Sequence, residues 1–485
     1  MADSDENDED LRRAIALSRR EEPIKSAVQG AGSFVEVAIS LDSDEDSLQK
    51  PQTSTKVTNT NILGLDRKQM EEARLARKRK ASISPPAPRN AARLVQKAPA
   101  EKTANDPILE RIPGKLEAFR PTAFEPTTPS MRGPVFLQGA CKKTWAFGHP
   151  REGDDIKLEE ILQKSDLQLA VLSSFQWDVP WLLDKIDMQT TNVTLVMQAK
   201  DDATKQQYRQ ETVSIRNLRI CFPSMEGQVN CMHSKLMLLS HPTYLRIAIP
   251  TANLVSYDWG ESGIMENSVF VIDLPRLPKG ETTSEEDLTF FGRELMYFLH
   301  AKGLEQSIVS SLYTFDLSAT AKYAFVHTIG GAHTGKGDPW RRTGYCGLGR
   351  AVQALGLRTE EEVEIDFVTS SVGSLNMDFL SMIYLACQGD DGSTEYAWRI
   401  VQTGKGKDGQ KDAKPAQTLL GQVRNSVRDN FRIYFPTHET VRNSTARSAG
   451  TICFQSKWYE SPTFPRETLR DCKSVRAGML MHNKV

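Results

Sequence analysis

Two copies of one short motif constrain the fold of this chain more than any other feature. Both copies read Met-His-x-Lys; the first is Met232–Lys235 and the second is Met481–Lys484. Residues two apart on a strand project to the same face of a sheet, so each copy would place an imidazole beside an ammonium group. A nucleophile or acid–base group next to a fixed cation suits attack on a phosphate. The repeat therefore predicts two similar halves that each supply one part of a phosphate-handling site.

An asparagine extends the first copy of the motif. Asn253 lies 18 residues after Lys235, and the residues between them read as strand, turn and strand. A hairpin would return Asn253 beside the pair, where its amide and the Lys235 ammonium could neutralise the equatorial oxygens of a phosphoryl transition state. The alternative for His233 alone is a surface residue on an edge strand. Lys235, Asn253 and the second pair, His482 and Lys484, argue against that alternative.

The chemistry of in-line displacement explains why two histidines are needed. One imidazole would attack the phosphorus and become phosphohistidine, while the opposite one would protonate the leaving group and then deprotonate water. No carboxylate triad or histidine cluster has the spacing of a metal site, so the sequence predicts no cofactor and no metal. The lysine charges would take the place of a metal ion.

The alternation of short β-branched runs with amphipathic stretches from Val135 onward is typical of an α/β fold. The sequence predicts a first αβ domain over residues 131–320 and a second over residues 321–485. Helices are predicted after Asp154 and Asp155, after Ser284 and Asp287 as a capping box, and over residues 375–386. Strands are predicted over residues 167–172, 192–198, 215–222, 232–239, 244–249, 268–274, 322–327, 363–369 and 431–435.

Residues 1–130 predict a disordered regulatory tail, because they are rich in Ser, Pro and charged residues and cannot bury enough apolar surface to offset chain entropy. Asp8–Glu21 resembles a ubiquitin-interacting motif, with an acidic lead and a narrow helical stripe that would contact ubiquitin. The alternative is a random amphipathic turn. The stripe consists of Leu11, Ala14, Ile15 and Ser18.

Two further tail segments predict partners and location. Val35–Leu41 runs into an acidic stretch and could add a strand to SUMO or act as a phosphorylated patch. The basic run Arg74–Lys80 is compatible with nuclear import, the alternative being a solvated charge run. The acidic N-terminus predicts no signal peptide, and no apolar run approaches the roughly 18 residues that span a bilayer, so no membrane partner is expected. The seven scattered cysteines predict reduced thiols.

One segment resembles a phosphate-binding loop but departs from that motif at a key position. Gly330–Gly337 nearly spells a phosphate-binding P-loop, but position 337 is glycine where serine or threonine should bind Mg²⁺. No strong helical pattern follows at once. The segment is therefore predicted to be a flexible loop.

Taken together, the motifs resemble the tyrosyl-DNA phosphodiesterase I family of the phospholipase D superfamily, over roughly residues 133–485. Asparagine after the first His-x-Lys, where the superfamily usually has aspartate, indicates this branch. The stretches that carry the resemblance are His233–Leu239, Ile249–Trp259, Ser370–Leu375, Ile433–Pro436, Ala449–Thr451 with Lys457 and Trp458, and Met481–Lys484.

The resemblance implies an enzyme that hydrolyses 3'-phosphotyrosyl DNA, the adduct left by a trapped type IB topoisomerase. It implies His233 as nucleophile and His482 as general acid and base, with Lys235, Lys484 and Asn253 on the phosphate oxygens. Three serines would contact the DNA backbone, or else form a strand-to-helix turn capped by Ser374. They are Ser370, Ser371 and Ser374. Glu266 would orient an imidazole. The expected state is a nuclear monomer.

The chain departs from the family after Lys484, where the family continues with a second asparagine and further αβ elements. Only Val485 follows here. We therefore expect an incomplete second domain with weak or no activity, and a fragment of a longer enzyme as the explanation. The alternative functions are a catalytically dead adaptor that binds ubiquitin and DNA, and another phosphodiesterase of the superfamily, such as a nuclease or lipid hydrolase.

Overall fold

The computed structural model describes residues 133–199, 201–224, 232–331, 333, 339–402, 413–448 and 450–484. All of them belong to one unit of the chain, Asn61–Val485. The tail motifs, including Leu11, Ala14, Ile15 and Ser18, lie outside the described residues, as do most of the P-loop-like segment and Ala449. The predicted boundary near residue 320 stays a prediction.

The chain is a mixed α/β protein, as its sequence predicts. In chain order the strands are β1 (Ala140–Thr144), β2 (Asp155–Ile156), β3 (Leu169–Ser173), β4 (Asn192–Val196), β5 (Leu218–Cys221), β6 (Leu236–Ser240), β7 (Tyr244–Pro250), β8 (Met265–Glu266), β9 (Ser268–Pro275), β10 (Ile365–Val368), β11 (Ser371–Val372), β12 (Phe431–Tyr434), β13 (Cys453–Phe454), β14 (Leu469–Arg470) and β15 (Leu480–Met481).

The helices alternate with these strands and cover the sheets. The α-helices are Leu158–Leu162, Val179–Asp184, Asp202–Thr212, Phe290–Ala301, Gln306–Ser311, Pro339–Arg342, Gly344–Ala354, Met377–Gln388, Ser393–Gln402, Ala413–Asn430, His438–Asn443 and Ser456–Tyr459. Short 3₁₀ helices occupy Leu312–Thr314, Ser318–Lys322 and Arg466–Thr468. Within the described part of the chain, no helix has both the length and the apolarity needed to cross a membrane.

The first half is built on an eight-stranded sheet in the order β2-β1-β9-β7-β6-β3-β4-β5. Its two faces bury separate apolar cores, one containing Leu172, Leu195 and Leu239 and the other containing Ile247 and Ile272. The helix Phe290–Ala301 closes the second core. All five apolar residues predicted for this helical region are buried: Leu288, Phe291, Leu295, Phe298 and Leu299.

The second half carries a three-stranded sheet in the order β10-β12-β14, and both pairings are parallel. The helices Met377–Gln388 and Ala413–Asn430 pack on it through a core that includes Leu380, Val427 and Phe431. Two short pairs stand apart from this sheet. β11 pairs with β13, and β15 pairs in parallel with β8. The β15–β8 pair is important for the site because it joins segments more than two hundred residues apart in sequence.

Several predicted elements differ in detail. Asp155 belongs to β2 rather than to a helix cap, since its backbone pairs with Lys143, and the next helix begins at Leu158. The helix Phe290–Ala301 is capped by Thr289, whose hydroxyl accepts from Gly292 N at 3.1 Å. The predicted box residues Ser284 and Asp287 do bond to each other, but in a turn before the helix.

Two predicted strands also differ from the structure: one is absent and the other begins later than predicted. Residues 322–327 form no strand; they follow a 3₁₀ helix, and His327 makes an isolated bridge with Thr343. The predicted strand over residues 232–239 begins only at Leu236. The first Met-His-x-Lys therefore precedes a strand instead of lying on it.

A fully buried ion pair anchors the first half. Arg246 on β7 donates from Nε and Nη2 to the two carboxylate oxygens of Asp273 on β9, at 2.7 and 2.8 Å. Its Nη1 donates to the carbonyls of Glu160 and Ile161, at 3.0 Å each. Asp273 also accepts from the backbone of residues 135 and 136. The donor and acceptor atoms named here are therefore paired within the protein and not with water.

Replacing Asp273 with alanine is expected to lower the free energy of unfolding by about 3–5 kcal/mol, because it leaves the Arg246 charge buried without its partner. Denaturant unfolding followed by circular dichroism measures the change. The double variant Arg246→Met/Asp273→Leu removes both charges and should recover part of the loss. Equal stability of the single variant and the parent chain would contradict the expectation.

Candidate active site

The first motif forms a short anchored loop just before β6. Met232 is buried and its backbone N–H donates to Gln198 Oε1 at 2.8 Å. Ser173 at the end of β3 donates its hydroxyl to the carbonyl of Ser234 at 2.8 Å. These contacts fix the loop on the neighbouring strand, so His233 and Lys235 are placed by the loop and not by the alternation of a strand.

Within this loop the imidazole and the ammonium touch. Lys235 Nζ donates to His233 Nδ1 at 2.9 Å and to the His233 carbonyl at 3.1 Å. One face of the His233 ring stacks on Phe175, with ring centroids 4.5 Å apart. The other parts of the ring are exposed. The histidine is thus oriented by a cation and an aromatic ring while an edge stays open to a ligand.

The second motif follows β15 directly. His482 N donates to the Glu266 carbonyl at 3.0 Å, continuing the parallel pairing of β15 with β8. Lys484 makes an isolated antiparallel bridge with Thr369 of the second half. Lys484 Nζ donates to the His482 carbonyl at 3.0 Å, as Lys235 Nζ does to the His233 carbonyl. The two copies of the motif therefore share the contact between the lysine ammonium and the histidine carbonyl.

Asn253 lies just after β7 and is buried beside the first motif's strand. Its side chain exchanges two hydrogen bonds with Gln176: Nδ2 donates to Oε1, and Gln176 N donates to Oδ1, each at 3.3 Å. Its carbonyl accepts from Trp259 Nε1 at 2.9 Å. The antiparallel hairpin from β6 to β7 places Asn253 at the same end of the sheet as the loop, and in this structure its amide contacts Gln176.

A residue that the sequence analysis did not single out contacts the second histidine. Asp258, fully buried, accepts from His482 Nδ1 through Oδ2 at 3.0 Å. The same oxygen accepts from Asn253 N at 2.7 Å. Asn267 Nδ2 donates to the Asp258 carbonyl at 2.9 Å. The only sequence signal was its place in the Ile249–Trp259 stretch, where nothing distinguishes an orienting aspartate from a helix cap or a turn residue.

Glu266 was predicted to orient an imidazole, and the structure gives its side chain a different neighbour. Its backbone carbonyl holds His482 N, but its carboxylate lies 3.8 Å from Arg476 Nη1. Arg476 also donates to the carbonyl of Thr144 at 2.7 Å. The carboxylate that contacts the His482 ring is that of Asp258, whereas Glu266 contacts His482 through its backbone carbonyl.

The three predicted substrate serines divide into two groups. Ser371 and Ser374 are exposed, and Ser371 pairs with Cys453 of β13. Ser370 is fully buried, and its hydroxyl has no hydrogen-bond partner within the described residues. The following helix is capped by Asn376, whose side chain accepts from Phe379 N, and not by Ser374. All three follow Thr369, which bridges Lys484, so they lie on the segment next to the second motif.

The electrostatics link the two motifs. Desolvation and the positive charges of Lys235 and Lys484, together with the nearby His482, lower the pKa of His233 to about 4. Burial lowers the pKa of Lys484 to about 8, against the opposing effect of the Asp258 carboxylate. The second motif also contacts the first half directly, through His482 with Asp258 and through Asn483 with Thr251. At neutral pH the site combines a neutral His233 with a charged Lys484.

The Lys484 pKa leads to a prediction for pH dependence. Because the ammonium is lost as pH rises through about 8, kcat/KM for a phosphodiester should fall about tenfold per pH unit above that value. His233 should impose no acid limit until pH falls toward about 4. Steady-state rates between pH 5 and 10 measure the profile.

The variant Lys484→Arg provides the comparison, since a guanidinium keeps its charge over this range. It should move the alkaline limb to higher pH even if the maximal rate drops. A parent profile that stays flat to pH 10 would contradict the assignment of this limb to Lys484.

Across the described residues, no group of three or more histidine, cysteine, aspartate or glutamate side chains is arranged to hold a metal ion. The cationic groups next to the histidines are therefore the lysines. Ammonium groups at fixed positions can neutralise phosphate oxygens, and neutral imidazole can attack phosphorus. The geometry is suited to phosphodiester chemistry.

Comparison with known proteins agrees with this chemistry. The family model described as tyrosyl-DNA phosphodiesterase matches residues 140–485. The yeast tyrosyl-DNA phosphodiesterase is 16% identical, with a TM-score of 0.45 over 66% of this chain and 72% of that chain. A histidine-to-alanine variant of the yeast enzyme is 16% identical, with a TM-score of 0.48 over 71% and 78%. A polyphosphate kinase from Porphyromonas gingivalis is 10% identical, with a TM-score of 0.28 over 51% and 36%.

Proposed function

The chain belongs to the tyrosyl-DNA phosphodiesterase family, and we propose that it hydrolyses 3'-phosphotyrosyl DNA through a phosphohistidine on His233. The observation that supports this proposal is that one carboxylate oxygen of Asp258 contacts both the His482 imidazole and the backbone of Asn253, which joins the second motif to the first half. A covalent route needs a nucleophile and an opposing acid, and the two motifs supply one imidazole each.

The first step forms a P–N bond and breaks a P–O bond. His233 attacks the phosphorus while the tyrosine oxygen leaves, and protonated His482 delivers a proton to that oxygen. Lys235 and Lys484 neutralise the oxygens of the transferring phosphoryl group. The leaving tyrosine is the residue of a trapped type IB topoisomerase in this proposal.

In the second step, His482 acts as a base instead of an acid, and His233 is the leaving group. His482, now neutral, takes a proton from water as the water oxygen attacks phosphorus, and the P–N bond to His233 breaks. The products are DNA with a 3'-phosphate and free enzyme. No part of this cycle requires a metal ion, because the lysines supply the positive charge.

The test is hydrolysis of a single-stranded oligonucleotide that ends in 3'-phosphotyrosine, followed by gel mobility and by tyrosine release. Conversion to a 3'-phosphate product with loss of tyrosine is expected in the presence of a chelator. An oligonucleotide with a 5'-phosphotyrosine serves as the matched control and should remain intact. The same assay decides whether this chain is active.

The second candidate is an adaptor that binds DNA and ubiquitin without chemistry. The engagement of the Asn253 amide by Gln176, which withholds it from a phosphate in this structure, is the observation that favours this candidate. DNA binding without tyrosine release or any trapped adduct would support it. Ubiquitin or SUMO contact by the tail, a monomeric state and nuclear location stay predictions.

A further inference from the structure

The His482 imidazole is held by a carboxylate that belongs to neither motif. Asp258 follows β7 on the first half, whereas His482 follows β15 near the end of the chain. Their contact, Nδ1 to Oδ2 at 3.0 Å, is buried on both sides. The carboxylate forms an ion pair with the imidazole whenever the ring is protonated.

The direction of this hydrogen bond determines the tautomer. A carboxylate can only accept, so Nδ1 carries the proton and Nε2 is left as the nitrogen that exchanges a proton with a ligand. A buried carboxylate also stabilises the imidazolium that forms when Nε2 is protonated. An acid–base histidine needs both effects.

The same carboxylate oxygen also holds the backbone of Asn253 at 2.7 Å. Asp258 therefore connects an asparagine of the first half to a histidine of the second half through one atom. Asn267 Nδ2 and the Asp258 carbonyl, 2.9 Å apart, fix the backbone from which the carboxylate projects. Asn483, next to His482, accepts from the Thr251 hydroxyl at 3.0 Å, a second tie between the same two segments.

We propose that Asp258 is the positioning residue of His482, setting its tautomer and supporting its positive charge while tying the Asn253 loop to the second motif. The kinetic consequence rests on the proposed function, but the tautomer does not. The buried carboxylate of Glu266 is the natural competitor for this role. Its neighbour is Arg476, and its contact with His482 runs through the backbone.

The first experiment needs no substrate. Side-chain ¹⁵N resonances of labelled histidine in the whole protein report which ring nitrogen carries the proton, and the His482 signals are assigned by their loss in His482→Asn. In the parent chain, His482 is expected as the Nδ1–H tautomer at neutral pH. In Asp258→Ala it should shift toward the Nε2–H form or exchange between the two, whereas in Glu266→Gln it should stay unchanged.

The second experiment uses the 3'-phosphotyrosyl oligonucleotide. Asp258→Asn keeps the shape of the side chain but removes its charge, so kcat should fall on the order of 100-fold with little change in KM. The rate of the step that activates water should fall most, so the fraction of enzyme trapped as a covalent DNA adduct should rise. Glu266→Gln should show no such rise, and thermal melting of each variant reports its folding.

The outcomes of these two experiments distinguish a failure of the positioning role of Asp258 from a failure of the proposed function. If the parent chain cleaves no phosphotyrosyl DNA while the tautomer changes only in Asp258→Ala, the proposed function fails and the positioning role stands. If the His482 tautomer is the same in Asp258→Ala and the parent chain, the positioning role is wrong. Adduct accumulation in Glu266→Gln but not in Asp258→Asn would overturn the proposal in favour of Glu266.

Discussion

Replacing His233 with alanine is expected to abolish release of tyrosine from a 3'-phosphotyrosyl oligonucleotide, with a loss on the order of 10⁴-fold or more. In the proposed mechanism, the imidazole supplies the nitrogen that bonds to phosphorus. Its low pKa, about 4, keeps the imidazole neutral at neutral pH. Single-turnover assays with excess enzyme measure the loss without interference from product release.

The matched control is His438→Ala, because His438 is exposed in the first turn of the helix His438–Asn443. That variant should keep the parent rate, and both variants should melt near the parent temperature. DNA binding, measured by fluorescence anisotropy, should change much less than turnover in His233→Ala. Turnover of His233→Ala within tenfold of the parent rate would remove His233 from the role of nucleophile.

Replacing His482 with asparagine is expected to accumulate a covalent complex between the protein and DNA. The leaving phenolate has a pKa of about 10, so its departure depends less on a general acid than the activation of water depends on a general base. The first step should therefore slow less than the second. Denaturing gels with labelled DNA would show the adduct as a shifted band that decays on the order of 100-fold more slowly than in the parent chain.

The site of attachment provides the control for this result. The double variant His233→Ala/His482→Asn should form no adduct, and mild acid should release the DNA from the single variant because a phosphohistidine bond is acid-labile. A His482→Asn protein that neither turns over substrate nor accumulates adduct would contradict the division of roles. An adduct that persists without His233 would assign the nucleophile elsewhere.

The sequence predicted much of the fold because its core patterns are local. The strand over residues 244–249 and the helix that buries Phe291 and Leu295 are recognisable from the spacing of apolar residues alone. The observed strand, Tyr244–Pro250, is one residue longer than predicted, whereas the helix Phe290–Ala301 is capped at Thr289 instead of Ser284. By contrast, residues 322–327 have the composition of a strand but acquire no neighbouring strand to pair with.

The functional site was likewise predicted only in part from the sequence. The sequence named both histidines, both lysines and Asn253 from a repeated motif and its spacing. It assumed that His233 and Lys235 lie on a strand, whereas the structure places them in a loop held by Ser173 and Gln198. A loop of this kind depends on contacts with residues distant in sequence, and no local pattern encodes them.

The sequence by itself determined which family the chain belongs to and predicted which chemical groups form the site, because residue types and their spacing carry that information. Only the tertiary structure decided which carboxylate serves which imidazole. Glu266 and Asp258 are both acidic residues after β7, and nothing in their order distinguishes them. The parallel pairing of β15 with β8 turns the Glu266 backbone toward His482 and leaves the Asp258 carboxylate facing the ring. The pairing register of the strands, and not the order of residues along the chain, therefore determines which carboxylate contacts His482.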